Sequence, residues 1–166
     1  MDNFKKAERD LSRLYPDIKT RISKVLVDMK QHYKEMFVTE GFRSFERQNY
    51  LYAHGRTLED TKIITNAKPG ESFHNYGLAI DLAFKDIEPW SAQHPWDDFG
   101  RIAKSHGFLW GGNFTSFKDR PHIQLGYGMS IDEIQELYKQ GGLEKLWSRI
   151  DAIRGIPIGQ RWYPLS

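Results

Sequence analysis

Ser72, His74, Gly77 and Asp81 fall in the order S-x-H-x-x-G-x-x-x-D, and Asp119-Arg-Pro-His122 follows later in the chain. His74, Asp81 and His122 offer two imidazoles and one carboxylate, a three-ligand set for zinc that leaves a fourth position open. An open position admits water, which is what metal-assisted hydrolysis requires. Asp119 is a spare carboxylate close to His122, able to accept a proton without binding the ion. The chain has no cysteine, so a metal must be held by imidazole and carboxylate, with no thiolate.

The spacing constrains what must lie between these residues. Ligands seven apart on a helix are separated by about 10 Å along its axis, and seven apart on a strand they point to opposite faces. His74 and Asp81 therefore meet only if the chain turns between them, and Asn75-Tyr76-Gly77 supplies the turn, with Gly77 free to take positive φ. Leu78 to Phe84 reads as a strand with Leu78, Ile80, Leu82 and Phe84 on a core face and Asp81 between Ala79 and Ala83 on an open face. Pro121 to Leu125 reads as a second strand with Pro at its first position. Laid beside the first, it puts His122 and Gln124 on the face of Asp81, and Asp119 on the turn leading in.

The remaining pattern predicts helices around that sheet. Ile18, Ile22, Val25 and Met29 form one apolar face of a helix from Pro16 to Tyr33. Met36 to Thr39 is a short strand, and Ser44 caps a helix from Phe45 to His54. Residues 56 to 72 read as loop. Trp96 to His106 is a helix, Phe108 to Trp110 a short strand, and Ser130 with Glu133 a capping box opening a helix to Lys139. Gly141-Gly142 stops it before a last helix, Leu143 to Ile153. The expected fold is α+β, with a small antiparallel sheet carrying the His/Asp/His zinc site and helices flanking it. Residues 1–128 are expected to form the catalytic domain and 129–166 a helical extension packed on it.

The 166 residues carry a net charge of +2, with 39% hydrophobic and 28% charged. That suits one globular domain and argues against disorder. The basic excess is too small for a nucleic-acid-binding stripe, and no run reaches the length of a membrane span. The N-terminus lacks an apolar h-region. Delivery to a target outside the cytoplasm is therefore expected to depend on another factor, and a monomer is expected. Other readings of the same residues stay open: Asp81 as an edge residue, Asp119 paired to Arg120 or capping a turn, and the remaining histidines as surface or hydrogen-bonded groups. Arg47 and Arg56 read as solvated charges. Trp90 and Trp110 suit core packing, although Trp110, next to Gly111-Gly112, could also wall a groove and contact substrate.

At these residues the chain resembles the zinc peptidases that cut bacterial cell-wall peptides, a family of D-alanyl-D-alanine carboxypeptidases and L-alanyl-D-glutamate peptidases. The likeness runs from about Leu11 to Leu125 and is greatest to the phage endolysin-type L-alanyl-D-glutamate branch. It is carried by Gly41-Phe-Arg-Ser44, Gln48, Leu51 to Arg56, Thr65 to Lys68, Ser72 to Asp81, Gly107 to Gly112 and Ser116 to His122. The resemblance implies that His74, Asp81 and His122 bind Zn2+ and that Asp119 is the catalytic base. It implies that Arg43 polarises the scissile carbonyl or holds a substrate carboxylate, and that Ser72 and Gln48 either contact the substrate or support the residues that do. The activity it implies is hydrolysis of the L-alanyl-D-glutamate bond of the peptidoglycan stem peptide, an endolysin-like, bacteriolytic reaction. A D-alanyl-D-alanine carboxypeptidase would use the same site. A non-catalytic zinc or wall-binding module is the alternative from another class, and Asp119 argues against it, because such a module needs no base.

Overall fold

The computed structural model describes residues 3–58 and 62–156. Four helices surround a four-stranded antiparallel sheet. In chain order these are α1 (Pro16–His32), β1 (Met36–Glu40), α2 (Phe45–Ala53), β2 (Ala79–Phe84), α3 (Trp96–Ser105), β3 (Leu109–Trp110), β4 (His122–Gln124) and α4 (Ile131–Ile153). The sheet order is β1-β2-β4-β3, which makes β2 and β4 the central pair, the position where side chains are most firmly held.

The periodicities of the sequence produce this arrangement directly. Pro16 opens α1, where its missing N–H costs nothing. Ile18, Ile22, Val25 and Met29 are fully buried along one face of that helix. They join Ile80, Leu82 and Phe84 of β2, Phe99 and Ile102 of α3, and Ile123 of β4 in a single core. Each fully buried aliphatic or aromatic side chain is worth about 1.5–3 kcal/mol of transfer free energy, so this core anchors the sheet that carries the polar site. The face of β2 expected to be open is less open than the alternation suggests. Ala79 and Ala83 are also fully buried, and access is concentrated at Asp81.

α4 begins at the capping box of Ser130 and Glu133, and its backbone leaves helical geometry at Gly141 and Gly142. The two predicted helices are therefore halves of one kinked element. Ile134, Leu146 and Ile150 belong to the common core. Trp147 donates its Nε1–H to the Tyr76 carbonyl at 3.1 Å, and Tyr15 donates to Asp151. The expected tail segments beyond residue 156 lie outside the described residues. No helix among the described residues is long and apolar enough to cross a membrane.

Candidate metal centre

Antiparallel pairing of β2 with β4 sets Asp81 directly opposite His122. Directly opposed residues on one sheet face have Cβ atoms about 4.5–5.5 Å apart, so the register alone brings two of the three candidate ligands together. His74 arrives from a 3-10 turn, Phe73–Tyr76. Ser72 caps that turn by accepting from the His74 N–H at 3.4 Å, and Gly77 ends it at φ 69°. A Cβ on Gly77 would come within 2.5 Å of the Arg13 carbonyl oxygen, so both the turn's hand and its packing require glycine.

His74 Nε2, His122 Nδ1 and Asp81 Oδ1 form a triangle with edges of 3.1, 3.0 and 3.1 Å. Tetrahedral zinc with bonds of about 2.0–2.2 Å holds its ligand atoms roughly 3.3–3.6 Å apart, so the triangle needs only a small expansion to accept the ion. The tautomers point the same way. His74 Nδ1 lies 2.6 Å from the Gly41 carbonyl oxygen, which can only accept, so Nδ1 carries the proton. His122 Nε2 donates to Gln124 Oε1 at 2.9 Å. Both remaining ring nitrogens then bring lone pairs to the same point as a carboxylate oxygen. Three acceptors in contact repel one another unless a positive charge joins them. The outward hydrogen bonds on both rings are the kind that fix metal-binding imidazoles.

The two imidazoles shift in opposite directions. Burial lowers the pKa of His74 despite the nearby Asp81 charge. Burial also opposes protonation of His122, but there the Asp81 bond and the Asp81 and Asp119 charges win, and its pKa is raised. Burial would raise the pKa of Asp81, yet His74 and His122 hold it well below the usual carboxylate range. Asp119 moves upward, through burial first and then the Asp81 charge. A bound dication would counter that rise and keep Asp119 ionised, as a base must be.

Asp119 shares the groove with the triangle. Its turn is braced from behind. The Asp119 N–H donates to the Gly111 carbonyl at 3.0 Å, and the His122 N–H to the Asp119 carbonyl at 3.2 Å. A Cβ on Gly111 would lie 2.4 Å from the Asp119 carbonyl oxygen and 3.1 Å from His122 Cβ. Trp110 donates its Nε1–H to the Arg120 carbonyl at 2.8 Å.

Trp110 and Gln48 take the supporting one of the two tasks open to each. Trp110 is buried at 6% exposure and does not line the groove; Gly100 and Gly112 make room for its indole. Gln48 is completely buried, accepting from Arg43 Nη1 at 3.0 Å and donating to the Ala67 carbonyl at 2.8 Å. It positions Arg43 and has no surface for substrate. Ser72 does line the groove. Arg43 also lines it, with Nη2 donating to Glu40 Oε2 at 2.6 Å and to Asp81 Oδ2 at 3.2 Å. It therefore holds the second oxygen of the same carboxylate whose first oxygen enters the triangle.

Other expectations also change. Arg47 is not a solvated charge: its side chain is 12% exposed and paired to Glu40. Arg56 stacks on Tyr52 and donates to the Tyr52 and Thr65 carbonyls, tying down the loop before the site. Trp90 is about half exposed in the groove and not in the core. His106 pairs with Asp28 at 2.7 Å, and His94 stacks on Phe84.

Glu40 and Asn75 escaped the sequence reading. Asn75 is buried and binds the Arg43 carbonyl at 2.8 Å, and an isolated asparagine carries no signal for such a role. Glu40 sits opposite Asp81 because β1 contains a register shift after Val38. Strict alternation from Val38 would have sent Glu40 toward the core, and the extra residue re-aims it at the groove.

The groove encloses about 810 Å³ and runs from Arg47 and Thr65 past the triangle to Phe117 and Trp90. Residues 65–125 match the D-alanyl-D-alanine carboxypeptidase family. The chain is 38% identical over 125 residues to the peptidoglycan L-alanyl-D-glutamate endopeptidase CwlK of Bacillus subtilis (strain 168), covering 69% of this chain and 74% of that one. It is 33% identical over 87 residues to the L-alanyl-D-glutamate peptidase of Listeria phage A118, covering 46% and 30% of the two chains. The fold is also that of the vancomycin resistance D,D-pentapeptidase VanY, solved in complex with Zn(II), with a TM-score of 0.55 at 17% identity over 80% of this chain and 83% of that one. With its His/Asp/His triangle, its flanking carboxylate and these likenesses, the chain belongs to the D-alanyl-D-alanine carboxypeptidase family of metallopeptidases, alongside the peptidoglycan L-alanyl-D-glutamate endopeptidases.

Proposed function

We propose that the chain is a zinc-dependent peptidoglycan peptidase that hydrolyses the L-alanyl-D-glutamate bond of the murein stem peptide, using His74, Asp81 and His122 as metal ligands and Asp119 as the base. The observation that carries this reading is the convergence of one ligating atom each from His74, Asp81 and His122 on one point, with a second carboxylate, Asp119, in the same groove. Zinc, when bound there, supplies a Lewis acid that activates water and polarises the scissile carbonyl.

The chain's own residues do the rest. His74 and His122 present one nitrogen each, oriented by Gly41 and Gln124. Asp81 gives one oxygen to the triangle while Arg43 fixes the other. Asp119 takes the proton of the attacking water and returns it to the leaving amine. Ser72 shapes the turn that delivers His74. Residues 1–128 would contain all of this machinery, with 129–166 as an extension. The likeness to CwlK and to the phage peptidase supports the choice of bond and an endolysin-like role in wall degradation. The description of the matched family favours D-alanyl-D-alanine carboxypeptidase activity as the second reading.

Mass spectrometry of murein digested by the zinc-loaded protein separates the two. Cleavage after L-Ala releases fragments with a new amino-terminal D-Glu. Release of D-Ala alone would replace the first reading with the second.

A further inference from the structure

Three arginines line the groove; Arg120 is exposed, and the two less exposed ones, Arg43 and Arg47, commit their donors very differently. Arg43 has Nη1 on Gln48, Nη2 on both Glu40 and Asp81, and an Nε that is sealed from solvent without a partner. Of the five N–H groups a guanidinium carries, only one on Nη1 remains for a ligand. Arg47 has Nε on Glu40 and Nη1 on the Phe4 carbonyl at 3.3 Å. Among the described residues its Nη2 meets no acceptor, and it is not one of the sealed nitrogens. Arg47 therefore keeps three N–H groups to offer in the groove that it lines.

Its position is costly for anything but a ligand. Arg47 lies in the first turn of α2, where its own backbone N–H is capped by Ser44 at 3.1 Å. A cation there opposes the helix dipole. Glu40, itself 6% exposed, answers two guanidinium groups with a single carboxylate. Asp81 balances the second only while its charge is not shared with a metal.

On the reading of the chain as a murein peptidase, we propose that Arg47, held by Glu40, is the substrate-carboxylate site of the groove and that Arg43 is a positioning residue for Asp81. The ligand class is a peptide whose leaving-group residue bears a carboxylate on the carbon next to the scissile nitrogen. A γ-linked D-glutamate has that group free, and its α-amide lacks it. Arg47 then makes this chain selective for unamidated stems.

The test compares the zinc-loaded full chain on L-Ala-γ-D-Glu-L-Lys and on the same peptide with the α-carboxylate amidated. The parent protein is expected to favour the carboxylate peptide in KM by about tenfold or more, the worth of a charge-assisted hydrogen bond. Arg47→Gln is expected to abolish that preference with kcat within a few-fold of the parent, and Arg47→Lys to keep part of it. Retention of the full preference in Arg47→Gln overturns the proposal. If Arg47→Gln misfolds, Arg47→Lys, which keeps a cation beside Glu40, carries the test, and a preference undiminished from the parent in that variant overturns the proposal. Calorimetric titration of zinc-loaded Asp119→Asn with both peptides separates this proposal from the choice of bond. An Arg47-dependent preference without cleavage by the parent at L-Ala–D-Glu leaves the carboxylate site standing and removes the bond assignment. Equal affinities, or none for the carboxylate peptide, overturn the site.

Discussion

Two halves of one groove solve opposite electrostatic problems. On one side His74, Asp81 and His122 bring three acceptors together with no cation of the chain between them. On the other side Glu40, Arg43 and Arg47 interlock, one carboxylate between two guanidinium groups. The first half could hold a metal ion, and the second is assembled on folding from the chain's own charges. Arg43 joins them, donating to both Glu40 and Asp81, so the ion-paired half orients the carboxylate of the candidate metal half. The contrast separates a cluster that a bound ion would complete from one that the chain's own opposite charges assemble.

The largest difference is expected within the metal half. His122→Ala should lose stoichiometric zinc and all hydrolysis, whereas Asp119→Asn should retain zinc and lose activity by about 10²–10⁴-fold, the usual worth of a positioned base. Metal analysis beside a murein-turbidity assay reads both. A His122→Ala protein with tight stoichiometric zinc would remove that residue from the ligand set, and an Asp119→Asn protein with parental activity would move the base elsewhere.

A smaller effect is expected from the ion-paired half, and it depends on pH. Burial pushes the Glu40 pKa up, but the bonds and charges of Arg43 and Arg47 outweigh it and the pKa is lowered in the fold. A lowered carboxylate pKa stabilises the fold above the unfolded value, and that contribution disappears as pH falls through the folded value. Glu40→Gln should therefore be less stable at neutral pH by up to roughly 3–5 kcal/mol, the cost of breaking a buried pair. The gap from the parent should narrow as pH drops below about 4.3. Denaturant titrations at pH 7 and pH 3 measure it, and a gap that widens in acid would contradict the sign.

The smallest effect is expected behind the site. Trp110→Phe keeps most of the packing but loses the bond to the Arg120 carbonyl, worth about 0.5–1.5 kcal/mol. It should lower the melting temperature by a few degrees with zinc stoichiometry unchanged. A change in KM as large as the change in stability would return Trp110 to the substrate.

The same contrast explains what could be read in the sequence. The metal half follows from local rules: a glycine that permits a turn, alternation that isolates Asp81, and a proline that starts β4. Each survives folding unchanged, so all three ligands converge as the spacing requires. The ion-paired half depends on a one-residue bulge in β1, which leaves no trace in composition or periodicity. That is why Glu40 was invisible and Arg47 read as a surface charge. Gln48 and Trp110 each carry two possible tasks in the sequence, contact with substrate or support from behind, and the structure gives both the supporting one. Their neighbourhood in sequence is the site, while their burial is decided by long-range packing against Ala67, Gly100 and Gly112. The helix boundaries were legible from caps and stops at Pro16, Ser44, Ser130 and Gly107.

Zinc-edge anomalous diffraction from crystals of the zinc-loaded protein addresses the metal half without recourse to activity. The expected result is one strong peak about 2.0–2.2 Å from His74 Nε2, Asp81 Oδ1 and His122 Nδ1 together, with Asp119 beside the open position and not bonded to the ion. A stoichiometric zinc peak away from these three atoms, or one bonded to Asp119 in place of Asp81, would contradict it.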